Sequence, residues 1–385
     1  MVSPPSRRAA QAGPADDDGQ GPADAESTAL PLADVADLPW LVEALNHTLA
    51  RQQGHAILVH GDAGIGALEF AYALARGWLC EVAQAGSLPA QPACGRCVGC
   101  RLARAQTHPD LLWRLPEALA LQHGFAVEVD DRRKPSRQIR VADLRAALDW
   151  TVTTSGRGRG KVLVVHPAEA MNAVTASALL KTLEEPPAGV RIVLTTADPG
   201  LLMPTILSRC QRVTLPRPTR EAATAWLRRH QVPEPEVLLD GAAGSPLTAL
   251  RWHAEGLNTR AWAELPAAVV RGDASVLAGW PVPRLVDALQ KLAHDAALRA
   301  CGAPPRFFPP GVVPPAADLA SLHRWHQALQ RVMRHAEHPW NDGLLSEALV
   351  AEGAEAWGAA ARGGAGTGGR AAGRPAVAKL PASAS

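Results

Sequence analysis

No stretch of this chain approaches the run of roughly 18 uncharged apolar residues that a membrane-spanning helix requires, and its N-terminus carries Pro, Gly and Asp where a signal peptide has an apolar core. These absences predict a cytoplasmic protein with no membrane partner. Charge of one sign is not in excess either: 39 Lys and Arg stand against 37 Asp and Glu, a formal net charge of +2. Affinity for nucleic acid therefore cannot be argued from charge balance, and any contact with DNA must be local or made through partners. With 47% hydrophobic residues in 385, the composition predicts a soluble globular protein of about two or three domains.

Large apolar side chains are almost missing from both ends. Residues 1–29, rich in Ala, Pro, Gly, Asp and Ser, cannot bury enough surface to offset the entropy of ordering, which predicts a disordered arm. Residues 353–385, with many glycines and scattered basic groups, are predicted to be a disordered tail.

Between these ends, short apolar runs alternate with helical patterns: "AILV" at 56–59, "LLWRL" at 111–115, "VLVV" at 162–165, "IVLTT" at 192–196 and "RVTL" at 212–215. Buried strands separated by helices imply an α/β core, residues 30–216, with a mostly parallel five-stranded sheet covered on both faces. After Pro216 the strands stop. Thr219 is placed to cap a helix, and residues 217–258 read as a small helical lid with a Gly-Ser-Pro turn. Leu285, Ala288, Leu289 and Leu292 recur at helical spacing, as do Leu322, Trp325, Leu329 and Val332, so residues 259–352 read as an all-α bundle.

The segment "HGDAGIGALEF", His60 to Phe70, has the glycine spacing of a phosphate-binding loop, with Gly61, Gly64 and Gly66 able to turn backbone N–H groups toward phosphate oxygens. The motif then needs a Lys for the terminal phosphates and a hydroxyl for Mg²⁺; the chain has Ala67 and Leu68. An ordinary glycine turn between strand and helix would look the same. After "KVLVV", where an active enzyme places an Asp for the metal and a neighbouring acid for the attacking water, stand His166, Pro167 and Ala168, with Glu169 later and given no catalytic role. Two parts of a hydrolytic site are thus absent, and no ATP binding is expected.

Cys80 is followed, thirteen residues on, by "CGRCVGC", which supplies Cys94, Cys97 and Cys100. Four clustered thiolates complete a tetrahedral structural zinc site with no position open for water. A redox dithiol uses two cysteines, not four. Arg96, Arg101 and Arg104 lie nearby, yet no aromatic residues interleave with them as in a nucleic-acid-binding finger.

"ASALLKTLEEPP", Ala176 to Pro187, followed by "TTADPGLLMPTILSRC", Thr195 to Cys210, closely resembles the ATPase-like core of the bacterial DNA polymerase III clamp-loader family, within the AAA+ class. The inserted cysteine cluster, the "THPDL" at 107–111 and the failed phosphate loop resemble the delta-prime branch, over about residues 38–352. That resemblance implies an AAA+ core with an inserted zinc module, a helical lid and a helical collar that joins a ring with gamma or tau and delta subunits. It implies that the ring loads a sliding clamp on primed DNA. In the family, the arginine of Ser-Arg-Cys projects into the neighbouring subunit's ATP site, and here that residue is Arg209. Cys210 then reads as a small buried residue rather than a nucleophile. Active relatives carry a nucleotide-sensing Arg after a Gly-Ser pair in the lid, where this chain has Leu247. Two other classes stay open: an autonomous ATPase using Lys161 or Lys181 as the phosphate cation, and a zinc-dependent nucleic-acid-binding protein.

Overall fold

A computed structural model of the chain describes residues 32–51, 54–82, 92–127, 134–315, 319–335 and 340–358. The predicted arm, 1–29, and most of the predicted tail, 359–385, lie outside them. Five strands form one sheet in the order β2-β3-β4-β1-β5: β1 Ala56–His60, β2 Leu111–Arg114, β3 Lys161–Val165, β4 Val190–Thr196 and β5 Gln211–Thr214. Every pairing is parallel, with Leu58 level with Leu194 on one side and Arg212 on the other.

Side chains alternate across this sheet, and each face has its own core. Ile57, Val59, Val162, Val164 and Val193 pack toward one face, where α1 (Pro39–Arg51) and α2 (Ala67–Leu79) lie. Leu58, Leu163, Val165, Ile192 and Leu194 pack toward the other. α3 (Val98–Arg104), whose Ala103 joins the first core, and α4 (Glu117–Gln122) precede the two helices that cover this second face, α5 (Val141–Thr151) and α6 (Ala173–Glu184), whose Leu144, Leu179 and Leu183 are fully buried. Burial on both faces is why these strands read as unbroken apolar runs. The Asn172 carboxamide caps α6 by accepting the Thr175 N–H at 2.9 Å, and Pro186 follows its end.

The short α7 (Pro204–Leu207) precedes β5, and only helices follow. Thr219 caps α8 (Arg220–Arg229), accepting the Ala222 N–H at 3.2 Å as its sequence position predicts. α9 (Pro235–Gly241) and α10 (Pro246–Ala254) complete a compact trio, and α11 (Thr259–Arg271), α12 (Val282–Ala300), α13 (Leu319–Arg334) and α14 (Asp342–Ala356) form a bundle. The spaced residues Leu285, Ala288, Leu289, Leu292, Leu322, Trp325 and Leu329 are buried in it. Their cluster is continuous with that of the first sheet face. Among the described residues, no helix is long and apolar enough to cross a membrane.

The boundary expected at residue 352 is corrected by α14, which runs on to Ala356 and buries Ala354, Ala356 and Trp357. The small residues that resemble a solvated tail serve close packing instead. A Cβ on Gly353 would stand 2.7 Å from the Trp325 ring, and the Trp357 indole N–H donates to the Pro314 carbonyl at 3.1 Å.

Candidate functional site

Gly61, Gly64 and Gly66 form the turn from β1 into α2, with Gly66 capping the helix in the left-handed region at φ 110°. What lies over this turn is protein. The Leu247 N–H donates to the Gly64 carbonyl at 3.2 Å, and the Ser245 hydroxyl donates to the Ala63 carbonyl. A Cβ on Gly64 would fall 2.2 Å from Thr248 Oγ1, so the start of α10 sits directly on the loop. Leu68, where the motif needs a hydroxyl, is buried in the protein, and Ala67 packs partly buried against the main apolar cluster.

Beside the loop lies a cavity of about 340 Å³ whose lining includes Glu69, His166, Glu169, Leu247 and Arg251. Its lining carries charged groups of both signs, Glu69 and Glu169 with Arg251. Burial raises the Glu69 carboxyl to a pKa of about 7, only partly opposed by its own backbone N–H and by the Arg251 guanidinium. Burial drives His166 down to about 3, with the charge of His123 acting in the same direction, so the ring is neutral where a metal-binding carboxylate would stand. Its Nδ1 pairs with Thr195 Oγ1. One Glu169 carboxylate oxygen accepts the Ala197 N–H at 3.1 Å, which gives that residue a structural contact. Glu69 was not legible as a site residue, because an acid in the first turn of a helix ordinarily serves the helix dipole in solvent.

Neither lysine considered as a substitute phosphate cation reaches the loop. Lys161 begins β3, at the N-terminal end of the parallel strands and so opposite the glycine turn that follows β1, and donates to the Trp150 carbonyl at 3.1 Å and to Thr153 Oγ1 at 2.6 Å. Lys181 is exposed on α6.

The four predicted cysteines do converge. Cys80 ends α2, Cys97 caps α3, Cys100 lies within it, and all four Sγ atoms, including that of Cys94, fall within 4.8 Å of one another. Two Sγ pairs, Cys80 with Cys97 and Cys94 with Cys100, are 4.0 Å apart. A tetrahedral ion with bonds of about 2.3 Å needs thiolate edges of roughly 3.8 Å. Backbone N–H groups of Cys94, Cys97 and Cys100 donate to the Sγ of Cys80, Cys94 and Cys97, each at 3.4 Å, which favours thiolates. The residues fit a metal ion. Arg96, Arg101 and Arg104 are exposed around them, and the tertiary structure supplies aromatics that the local sequence lacks: Tyr72, Trp113 and Phe125 share a pocket with Arg104.

The "THPDL" segment has a structural role. Asp110 is fully buried and accepts the N–H groups of Gly156 at 2.7 Å and Arg157 at 2.9 Å, with the Ser155 hydroxyl at 3.0 Å. It anchors the turn that feeds β3.

Arg209 follows α7, with its side chain about one third exposed. Its Nε donates to Glu184 Oε1 at 2.7 Å and its Nη2 to the same oxygen; its Nη1 donates to the Thr205 carbonyl at 2.9 Å and to Ser208 Oγ at 3.2 Å. The two motifs that carry the family resemblance therefore meet in space. Cys210, mostly buried beside it, has its thiol pushed up to about 11 by desolvation, which suits a packing residue.

Comparison with known proteins gives the same family. Residues 39–219 match the family described as "DNA polymerase III, delta subunit". DNA polymerase III subunit delta' of Pseudomonas aeruginosa is 38% identical over 62% of this chain and 66% of its own length. The subunit of that name from Escherichia coli is 31% identical over 67% of this chain and 78% of its own. DNA polymerase III subunit tau of Salmonella typhimurium is 35% identical over 46% of this chain and 24% of its own length.

Proposed function

This chain belongs to the DNA polymerase III delta' family, and from that premise we propose that it is the non-hydrolysing subunit of a replicative clamp loader, lending Arg209 to the ATP of a neighbouring subunit. Its ring would be completed by gamma or tau and delta subunits, and would open the sliding clamp and load it on primed DNA. In this reading residues 30–216 form the AAA+ core, 217–258 the lid and 259–352 the main part of the collar that holds the ring together. Cys80, Cys94, Cys97 and Cys100 hold a structural zinc ion, which ties the end of α2 to α3. Such an ion brings binding free energy that becomes local folding free energy.

The observation that carries this reading is the state of the chain's own loop, which is covered by α10 and neighboured by a carboxylate, while Arg209 is partly exposed. A triphosphate entering that space would meet a residue that becomes anionic above about pH 7 and no motif lysine. In this reading the chain's own loop carries no chemistry, and the ring's hydrolysis falls to its neighbours. A guanidinium stays charged and donates a charge-assisted hydrogen bond to a phosphate oxygen. Supplied in trans, it stabilises transition-state charge by roughly 10³ to 10⁵ in rate.

The test is a reconstituted loader carrying Arg209→Ala. Clamp loading is expected to fall by roughly tenfold or more, and DNA-stimulated ATP hydrolysis with it, because a ring whose sites act together stalls when one loses its finger. Unchanged hydrolysis and loading would remove the proposed role.

A further inference from the structure

We infer that Glu184 is the positioning residue of the arginine finger: it holds the Arg209 guanidinium in the one orientation from which the finger can reach another subunit's phosphate. The inference rests on the in-trans reading of Arg209 given above.

A free arginine side chain samples many rotamers, and the entropy of fixing it is lost at the moment of catalysis unless the protein has fixed it beforehand. Here the fixing is built from both sides. Glu184 Oε1 accepts from Nε and from Nη2, so that one carboxylate oxygen occupies the Nε side of the planar group. On the other side, Nη1 is held by the Thr205 carbonyl and by Ser208 Oγ, and Ser208 is itself oriented by donating to the same carbonyl at 3.1 Å. A guanidinium has five N–H groups. These four bonds leave one, on Nη2, for an acceptor outside the chain.

The position of Glu184 follows from the fold. It is the last residue of α6, whose apolar face is fixed by Leu179 and Leu183 in the core, and the Pro186-Pro187 pair prevents the helix from continuing. The carboxylate is thus delivered by a rigid element beside the turn that carries Arg209. Its half-exposed ion pair is weak as a source of stability. Orientation is the effect it is placed to provide. The serine and the first acid of two motifs far apart in sequence then have one physical task, which is to aim the arginine between them.

The experiment uses the full reconstituted loader with Glu184→Ala, Glu184→Gln, Arg209→Ala and the double variant Glu184→Ala with Arg209→Ala, each checked by circular dichroism and ring assembly. Glu184→Ala is expected to lower DNA-stimulated kcat by roughly tenfold with little change in the KM for ATP, since a misaimed catalytic group costs rate more than ground-state binding. Glu184→Gln keeps an oxygen acceptor and is expected to recover part of that loss. The double variant is expected to be no worse than Arg209→Ala alone, because the carboxylate acts only through the arginine. Unchanged kcat in Glu184→Ala beside an impaired Arg209→Ala overturns this inference and leaves the function standing, and so do independent, multiplying losses. An unimpaired Arg209→Ala removes the function itself, and the inference with it. Should Glu184→Ala fail to assemble, the kcat of Glu184→Gln decides: parental kcat counts against a charged clamp, and a reduced kcat with unchanged KM supports it.

Discussion

The backbone N–H of Leu247 donates to the carbonyl oxygen of Gly64 at 3.2 Å, stitching the start of α10 to the turn that in a hydrolytic relative would receive phosphate. Leu247 thus spends its backbone N–H on the loop, and its side chain brings no charge to the space above it. The close approach of α10 requires glycine at position 64, where only a residue without Cβ leaves room for Thr248.

Restoring the two missing motif residues should therefore fail to restore the site. A chain carrying Ala67→Lys with Leu68→Thr is expected to bind Mg·ATP no better than the parent by titration calorimetry, provided circular dichroism shows it folded. The new lysine would lie beneath α10 and beside Glu69, and Leu68 would lose its apolar burial. Micromolar binding by this variant would show that two absent side chains alone silence the loop.

Glu69 makes stability depend on pH in a direction opposite to an ordinary salt-bridged acid. Its pKa is about 7 in the fold against 4.5 for the exposed carboxyl. The folded chain thus holds an extra proton between these values, and its stability from this group is full below about pH 4.5 and is lost as pH rises through about 7. Glu69→Gln, which keeps the shape without the charge, is expected to stabilise the chain at pH 8 by up to about 3 kcal/mol, the worth of that shift at 1.4 kcal/mol per pH unit, and to have little effect near pH 5. Denaturant melts at the two pH values measure the difference. An equal effect at both would mean that the carboxylate is not desolvated.

Metal content tests the cysteine cluster independently of any activity. The purified chain is expected to carry a single zinc ion by atomic absorption, and Cys97→Ser is expected to lose it and to melt at a lower temperature. Thiol titration of the native protein should show Cys80, Cys94, Cys97 and Cys100 protected until a strong chelator is added, while Cys301, which is exposed, reacts at once. Immediate reaction of all the cysteines, with no zinc found, would overturn the assignment.

The amino-acid sequence by itself determined the α/β core, because Ile57 to Val59, Val162 to Val165 and Ile192 to Leu194 are apolar on both faces, and an exposed strand would not tolerate that. It also determined the cysteine cluster, since residues three apart at a helix start turn toward a common point, and the loss of the loop's lysine, which is a matter of identity alone. The end of the bundle escaped it: Gly353 is small enough to suit either a solvated tail or a tight contact with Trp325, and only the neighbour chooses. The tertiary structure likewise decided that α10 covers the loop, that Glu69 loses its water, and that Glu184 meets Arg209. Each of these depends on partners brought together from distant parts of the chain, and desolvation and pairing arise from proximity in space, which no local pattern of residues encodes.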